Sequence, residues 1–214
     1  MYMVSKEKML RLFRKVANWY YLFRLQRLPV WVEIERFKKH VTFGKTYPHY
    51  AKYYILYKTI RNLKPLYTLE LGSGISSLII GFALKENGGG VLVSMEESGE
   101  YGKEVMETIG HEYPIELHIE EAIEDKYTDF EGNRYQNIPR KPYDFIFIDG
   151  PRTKKVDLDV FYILEYCPNA RVLIDNRKRT FDAFKSRFRS SFNTITNIGY
   201  INLPTIKSRY ERTS

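Results

Sequence analysis

The sequence predicts an α/β fold: a doubly wound, mostly parallel sheet of seven strands, with an antiparallel C-terminal hairpin and an N-terminal helical cap. Three observations lead to this prediction. Short apolar runs of strand length alternate with segments of helical period between residues 65 and 176. Two further apolar runs flank Gly199, and residues 1–64 have a helical period. Alternating strands and helices are typical of a parallel sheet covered by helices on both faces.

The charge of the chain is unevenly distributed. The 214 residues carry a formal charge of +8, but residues 1–64 contribute +12, residues 65–176 contribute −11 and residues 177–214 contribute +7. Two basic ends around an acidic middle leave nucleic acid, an anionic membrane and an anionic substrate open as partners. The length fits one domain with an appendage. We therefore expect a basic helical cap at 1–64 and a main domain at 65–214.

The composition excludes several classes of protein. Cys167 is the single cysteine, so no internal disulfide can form, and no Cys/His spacing indicates a zinc site. The first residues lack the apolar run of a signal peptide, and no stretch approaches the roughly 20 apolar residues of a membrane span. We expect a cytoplasmic protein with at most a peripheral membrane contact.

Three helices are predicted in the basic cap. Apolar residues recur at steps of three and four between Ser5 and Leu28, and similar patterns fit Val30 to Val41 and Tyr50 to Leu63. Pro29 interrupts the first helix and Lys64-Pro65 ends the third. Packing of these helices on the main domain is favoured over binding to a membrane or to nucleic acid.

The acidic middle predicts the sheet and its helices. Strands are expected at residues 66–71, 91–95, 115–119, 143–148 and 171–174. Helices are expected between or after them at residues 76–87, 101–109, 156–166 and 180–188. The runs at 194–198 and 200–203 predict a hairpin that turns at Gly199.

Polar residues follow the first two strands, where an open α/β sheet binds its ligands. The first strand end reads LELGSGISS, and its glycines permit a sharp turn and the close approach of a ligand. Glu96, at the second strand end, is placed to accept hydrogen bonds from a ribose diol. A dinucleotide is disfavoured, because Ser77 replaces the third glycine of that fingerprint and the Glu70 carboxylate would repel a pyrophosphate. A cationic adenosine cofactor is favoured.

With these motifs the sequence resembles the class I S-adenosylmethionine-dependent methyltransferases. LELGSG is similar to the first motif of that family, and YDFIFIDG, which ends at Gly150, is similar to the fourth. The resemblance covers about residues 50 to 203 and implies a Rossmann-like sheet and S-adenosylmethionine as cofactor. It implies that Glu96 holds ribose and that Glu121 and Ala122 border adenine. The residues it assigns to the cofactor are Glu70, Gly72, Ser73, Gly74, Ser76, Ser77, Glu96, Glu121, Ala122 and Asp149.

The ends of the fourth and fifth strands carry a second resemblance. Asp149, with the pair Asp175-Asn176, resembles the divalent-metal triad of catechol-type O-methyltransferases, which implies a site for Mg²⁺ or a similar cation. Arg152 stands where that family has a lysine base, and an arginine cannot accept a proton. Three explanations are left open. Lys154 or Lys155 serves as the base instead, the metal-bound hydroxyl loses its proton with little need for a base, or Arg152 binds an anionic substrate. We take Asp149 and Arg152 as the candidate catalytic residues.

The expected function is methyl transfer to a hydroxyl of a small-molecule or glycan acceptor of anionic character. The fourth strand ends in IDGPR and lacks the NPPY-type sequence of many methyltransferases that act on amino groups, which favours an oxygen acceptor. The alternative is an RNA methyltransferase whose basic ends bind the phosphate backbone. A non-enzymatic module that binds a membrane or a partner is the third hypothesis. Whether the protein forms a homodimer is left open.

Overall fold

The computed structural model describes residues 6–41, 49–152, 155–188, 192–195 and 198–201. The helices in these ranges are α1 (Lys6–Leu25), α2 (Val30–His40), α3 (Tyr50–Leu63), α4 (Ile75–Asn87), α5 (Gly99–Ile109), α6 (Asp159–Tyr166) and α7 (Lys178–Phe188). The strands are β1 (Tyr67–Leu71), β2 (Val91–Glu96), β3 (Ile115–Ile119), β4 (Ala122–Tyr127), β5 (Phe130–Tyr135), β6 (Phe145–Ile148), β7 (Val156–Asp157), β8 (Arg171–Asp175), β9 (Phe192–Ile195) and β10 (Ile198–Ile201).

Seven of the strands form the main sheet, in the order β3-β2-β1-β6-β8-β10-β9. The first five in this order are mutually parallel, whereas β10 runs antiparallel to both β8 and β9. Strand order reverses between β1 and β6, and Leu71 pairs with Met95 of β2 and Ile148 of β6 at that edge. The predicted doubly wound fold is confirmed. A ligand site is expected beyond these carboxyl ends.

The structure differs from the prediction in three details. Gly199 lies inside β10, opposite Ile174, so the hairpin turns before this glycine. The helix predicted at 156–166 begins only at Asp159, because Val156 and Asp157 form the short strand β7. The third difference is a second sheet of three strands, β4-β5-β7, of which β4 and β5 lie between residues 120 and 142, where no element was predicted.

The helices of the cap pack onto the main sheet through apolar side chains. Leu25, Ile34 and Leu56, from α1, α2 and α3, are fully buried and share one apolar cluster with residues of α4, β6 and β8. Lys64 ends α3 with a positive φ of 48°, and β1 begins three residues later. Because α3 leads directly into β1 and runs back along the sheet, its first turn lies at the carboxyl edge. Within the described ranges, none of the helices combines the length and apolar character needed to cross a bilayer.

Candidate active site

The turn after β1 passes close to the end of β6. Gly72 has a φ of 94°, and a Cβ added there would lie 2.7 Å from the backbone nitrogen of Gly150 and 2.8 Å from its Cα. The Gly72 N–H donates to the carbonyl oxygen of Met95 at 2.9 Å, which joins the turn to β2. Only glycine suits both the positive φ and this close approach. The predicted glycine turn therefore brings the ends of β1, β2 and β6 together.

Glu70 is completely buried beneath this turn. Its Oε2 accepts hydrogen bonds from the hydroxyls of Ser77 at 2.5 Å and Ser94 at 2.7 Å, while its Oε1 is buried without a hydrogen-bond partner. Burial raises the pKa of the Glu70 carboxyl to about 7, although nearby serine hydroxyls favour the ionised form. Glu70 is therefore a buried acceptor under the turn that serine hydroxyls hold in place.

Glu96 is held rigidly between two loops at the end of β2. Its Oε2 accepts from the backbone N–H of Ser73 at 3.1 Å and from the Ser73 hydroxyl at 2.9 Å. Its Oε1 accepts from the backbone N–H of Ser98 at 2.9 Å. The carboxylate is 7% exposed and borders the cavity at the strand ends. Glu96 is therefore an oriented acceptor in the position predicted for binding ribose.

A cavity of about 230 Å³ lies where the ends of β1, β2 and β6 meet. It brings together five predicted site residues, which are Gly72, Ser73, Glu96, Asp149 and Arg152. The remaining lining residues are Glu97, Ser98, Tyr101, Tyr135, Gly150 and Pro151. With Glu96, Glu97 and Asp149 against Arg152, the acidic side chains outnumber the basic one. A cavity of this charge suits a ligand that carries positive charge.

Tyr101 and Tyr135 were not predicted as site residues. They come from α5 and from β5 of the second sheet, and burial raises the pKa of both, that of Tyr101 to about 12. Both therefore stay neutral at physiological pH. Neither residue is marked by a signal in the sequence. Tyr135 lies in β5, which was not predicted, and Tyr101 lies in a predicted helix without a recognisable motif.

Five residues assigned to the cofactor lie outside this cavity lining, in addition to Glu70. Gly74, Ser76 and Ser77 begin α4 behind the turn, and the Gly74 N–H donates to the Ser77 hydroxyl at 3.0 Å. Glu121 is exposed, and Ala122 opens β4 opposite Tyr135. The adenine contact of Glu121 and Ala122 stays a prediction.

The ends of β6 and β8 are joined by a lysine that the sequence did not single out. The Nζ of Lys52, on the first turn of α3, lies 2.9 Å from Oδ2 of Asp149 and 2.7 Å from Oδ2 of Asp175. Burial opposes the charge of Lys52, but the two carboxylates outweigh burial and raise its pKa above the ordinary lysine value. Burial raises the pKa of Asp149, and the Lys52 ammonium opposes that rise. An ammonium therefore bridges the two predicted metal ligands.

The predicted metal triad does not fit a divalent cation as these residues are arranged. Both carboxylates are engaged by Lys52, and Asn176 is exposed with a positive φ of 51°. In the part of the chain that the structure describes, no group of three or more His, Cys, Asp and Glu side chains could hold a metal. Mg²⁺ and Ca²⁺ need several free oxygen ligands. The metal site is not confirmed.

Two arginines shape the loop after β6. The backbone N–H of Arg152 donates to Oε1 of Glu97 at 2.8 Å, which holds this residue at the cavity. The Arg177 guanidinium donates to the carbonyl oxygens of Asp149 and Pro151, and it lies 3.5 Å from Oδ1 of Asp157. Of the lysines considered as replacement bases, Lys155 pairs with an exposed glutamate of β4 and Lys154 lies outside the described residues.

A larger cavity, of about 480 Å³, lies at the opposite edge of the sheet. It is lined by the segments 63–66, 142–144 and 166–171, which precede or adjoin the amino ends of β1, β6 and β8. Ligands of open α/β sheets bind at the carboxyl ends. The smaller cavity is therefore the candidate active site.

Comparison with known proteins agrees with this geometry. The model of a family described as a methyltransferase domain matches residues 69–176, which run from β1 through β8. The match includes all three strand ends that line the cavity, those of β1, β2 and β6, and spans half of the chain. The chain belongs to this family of methyltransferases, and its Rossmann-like fold is that of the class I S-adenosylmethionine-dependent enzymes.

Solved structures share the fold at low sequence identity. A methyltransferase from Podospora anserina bound to S-adenosylhomocysteine has a TM-score of 0.58 at 16% identity, covering 95% of this chain and 98% of the other. An O-methyltransferase from Bacillus cereus in complex with S-adenosylhomocysteine has a TM-score of 0.57 at 14% identity, covering 90% of this chain and 100% of the other. The O-methyltransferase TomG from Streptomyces achromogenes has a TM-score of 0.53 at 14% identity, covering 88% of this chain and 98% of the other. No curated protein sequence matches the chain.

Proposed function

We propose that this protein transfers a methyl group from S-adenosylmethionine to a hydroxyl oxygen of a small-molecule or glycan acceptor. The observation that carries the proposal is the acid-lined cavity at the strand reversal, with Glu96 held by Ser73 and Ser98. Structural neighbours whose names identify them as O-methyltransferases support an oxygen acceptor.

The residues of the cavity fit this cofactor. The oriented Glu96 carboxylate is the acceptor for the ribose hydroxyls, and Gly72 and Gly150 line the cavity with no side chain beyond the backbone. Glu70 keeps one buried oxygen without a partner behind the turn. S-adenosylmethionine supplies a methyl group that its sulfonium has already activated. The protein then needs mainly to align the acceptor and to exclude water.

Asp149 and Arg152 are the residues we assign to the acceptor. The Asp149 side chain is 34% exposed and lines the cavity, so it can accept a hydrogen bond from the acceptor hydroxyl. Arg152 is a basic residue of the lining and would bind an anionic group on the acceptor. In this proposal the N-terminal helices form part of the acceptor wall.

Calorimetry with S-adenosylhomocysteine and S-adenosylmethionine tests the cofactor assignment. We expect both to bind the wild-type protein, and we expect Glu96→Ala to weaken binding by about 10-fold or more, because an oriented charged acceptor contributes about 1.5–3 kcal/mol. Glu100→Ala is the matched control, since Glu100 is a nearby exposed acid of α5. Absence of binding by the wild-type protein would reject the proposal.

A screen of hydroxylated acceptors tests the oxygen specificity. Release of S-adenosylhomocysteine is the readout, and we expect activity with an anionic hydroxyl compound that Arg152→Ala reduces. The RNA alternative predicts instead an RNA affinity that falls steeply between low and moderate salt, because bound phosphates release counterions. Activity on RNA without activity on any small hydroxyl compound would favour that alternative.

A further inference from the structure

The Lys52 side chain is an unusual group to find beneath an active site. It extends from α3, 97 positions before Asp149, and only 8% of the residue is exposed. Its Nζ contacts Asp149 at 2.9 Å and Asp175 at 2.7 Å. A buried ammonium is costly unless charged partners compensate for its lost hydration. Here two carboxylates do so, one directly after β6 and one at the end of the adjacent strand β8.

The carboxylates of Asp149 and Asp175 also require a positive charge between them. Asp149 and Asp175 end neighbouring parallel strands, and their Oδ2 atoms both lie within 3 Å of one nitrogen. Two carboxylates this close repel each other unless a positive charge lies between them. Arg177 is also near, but it contacts the carbonyl oxygen of Asp149 and the carboxylate of Asp157. The charge between the two strand ends is thus supplied by Lys52.

We propose that Lys52 is the resident cation of this site and takes the position that the sequence assigned to a divalent metal. The role of Lys52 in methyl transfer rests on the proposed function. Its place as the cation between Asp149 and Asp175 does not. Lys52 contacts one oxygen of Asp149, Oδ2, and so fixes the orientation of that carboxylate while the residue still lines the cavity. It is a positioning residue that acts through Asp149, and methyl transfer by this protein does not depend on a divalent cation.

The proposal makes a prediction about metal binding that is independent of catalysis. Wild-type protein freed of metal with EDTA should not bind Mn²⁺ stoichiometrically, as measured from the electron paramagnetic resonance signal of free Mn²⁺. Lys52→Ala should gain one Mn²⁺ site, because it leaves two facing carboxylates and the space of a removed side chain. Mn²⁺ should then raise the midpoint of thermal unfolding of Lys52→Ala and leave that of the wild type unchanged.

Two control variants make the test specific. Lys58→Ala removes an exposed lysine from the same helix and should behave like the wild type. Lys52→Ala combined with Asp149→Asn should lose the gained Mn²⁺ site, because one of the two carboxylates is gone. If Lys52→Ala does not fold, Lys52→Ser removes the charge and leaves the same space, and we expect it to gain the same Mn²⁺ site.

The same titrations can overturn the inference. Stoichiometric Mn²⁺ binding by the wild type that Asp149→Asn removes would show that a metal and not Lys52 is the cation of the site. An equal response of wild type and Lys52→Ala to Mn²⁺ would also contradict it. Neither result depends on S-adenosylmethionine, so failure of this inference is distinguishable from failure of the proposed function.

Discussion

Glu70 and Glu96 end adjacent strands of one sheet but have different environments. Glu96 accepts two backbone N–H groups and a hydroxyl, which hold both of its oxygens. Glu70 is fully buried and receives only serine hydroxyls on one oxygen, and burial raises its pKa to about 7. The first is a fixed acceptor, and the second changes charge near neutral pH. The donors around Glu96 fix its orientation, whereas burial is what raises the pKa of Glu70.

The raised pKa of Glu70 predicts a pH-dependent affinity for S-adenosylmethionine. Glu70 is ionised above about pH 7 and neutral below it, and the ionised form binds a cationic ligand better. Affinity measured by calorimetry should therefore increase from about pH 6 to about pH 8 in the wild type. Glu70→Gln has no charge to gain and should show a flatter profile. Equal pH profiles for the two proteins would contradict the assignment.

At the scale of elements, the second sheet depends on a close approach of backbone to backbone. Gly132 of β5 pairs with Val156 of β7, and a Cβ on Gly132 would collide with the Val156 carbonyl oxygen and lie 2.8 Å from Cγ of Leu158. The sheet escaped prediction because β4 and β5 carry charged residues that are half-buried or exposed, so no apolar run marks them. Its position was decided by contacts with β7 and α6.

Gly132→Ala should destabilise the protein. Overpacking of this kind costs about 1–3 kcal/mol, because the neighbouring backbone cannot move away as a flexible side chain could. Urea denaturation gives the free energy of unfolding that checks this. Gly89→Ala is the matched control, since a Cβ on Gly89 meets nothing within 4 Å and its φ lies outside the left-handed region. A loss in Gly132→Ala no larger than in Gly89→Ala would show that the small sheet tolerates a wider spacing.

For the molecule as a whole, buried carboxylates dominate the response of stability to pH near neutrality. Burial raises the pKa of Glu70 to about 7, of Asp157 to about 6 and of Asp159 to about 8. Each pKa unit between the folded and unfolded states corresponds to about 1.4 kcal/mol. Lys52 has a raised pKa, so its stabilising contribution is already complete below the ordinary pKa of lysine and stays constant over this range.

The midpoint of thermal unfolding should fall as the pH rises from about 5 to about 8. Between these values the folded chain binds more protons than the unfolded chain, so stability decreases with pH. Differential scanning calorimetry at constant ionic strength is the measurement. Asp159→Asn should reduce the slope, since it removes the carboxyl with the highest of the three pKa values. A midpoint that rises over this interval would contradict the prediction.

The sequence by itself determined the succession of the main-sheet strands and their helices along the chain, and two features of the site, the glycine turn and Glu96. Strand and helix periods, and the glycine-rich turn sequence after the first strand, are local properties of the chain, which is why they can be predicted without a structure. The tertiary structure decided the cation between Asp149 and Asp175. Lys52 is 97 positions from Asp149, and its helix pattern alone does not indicate a buried ion pair. The packing of α3 on the sheet buries that lysine, and burial makes its charge pair with both strand ends.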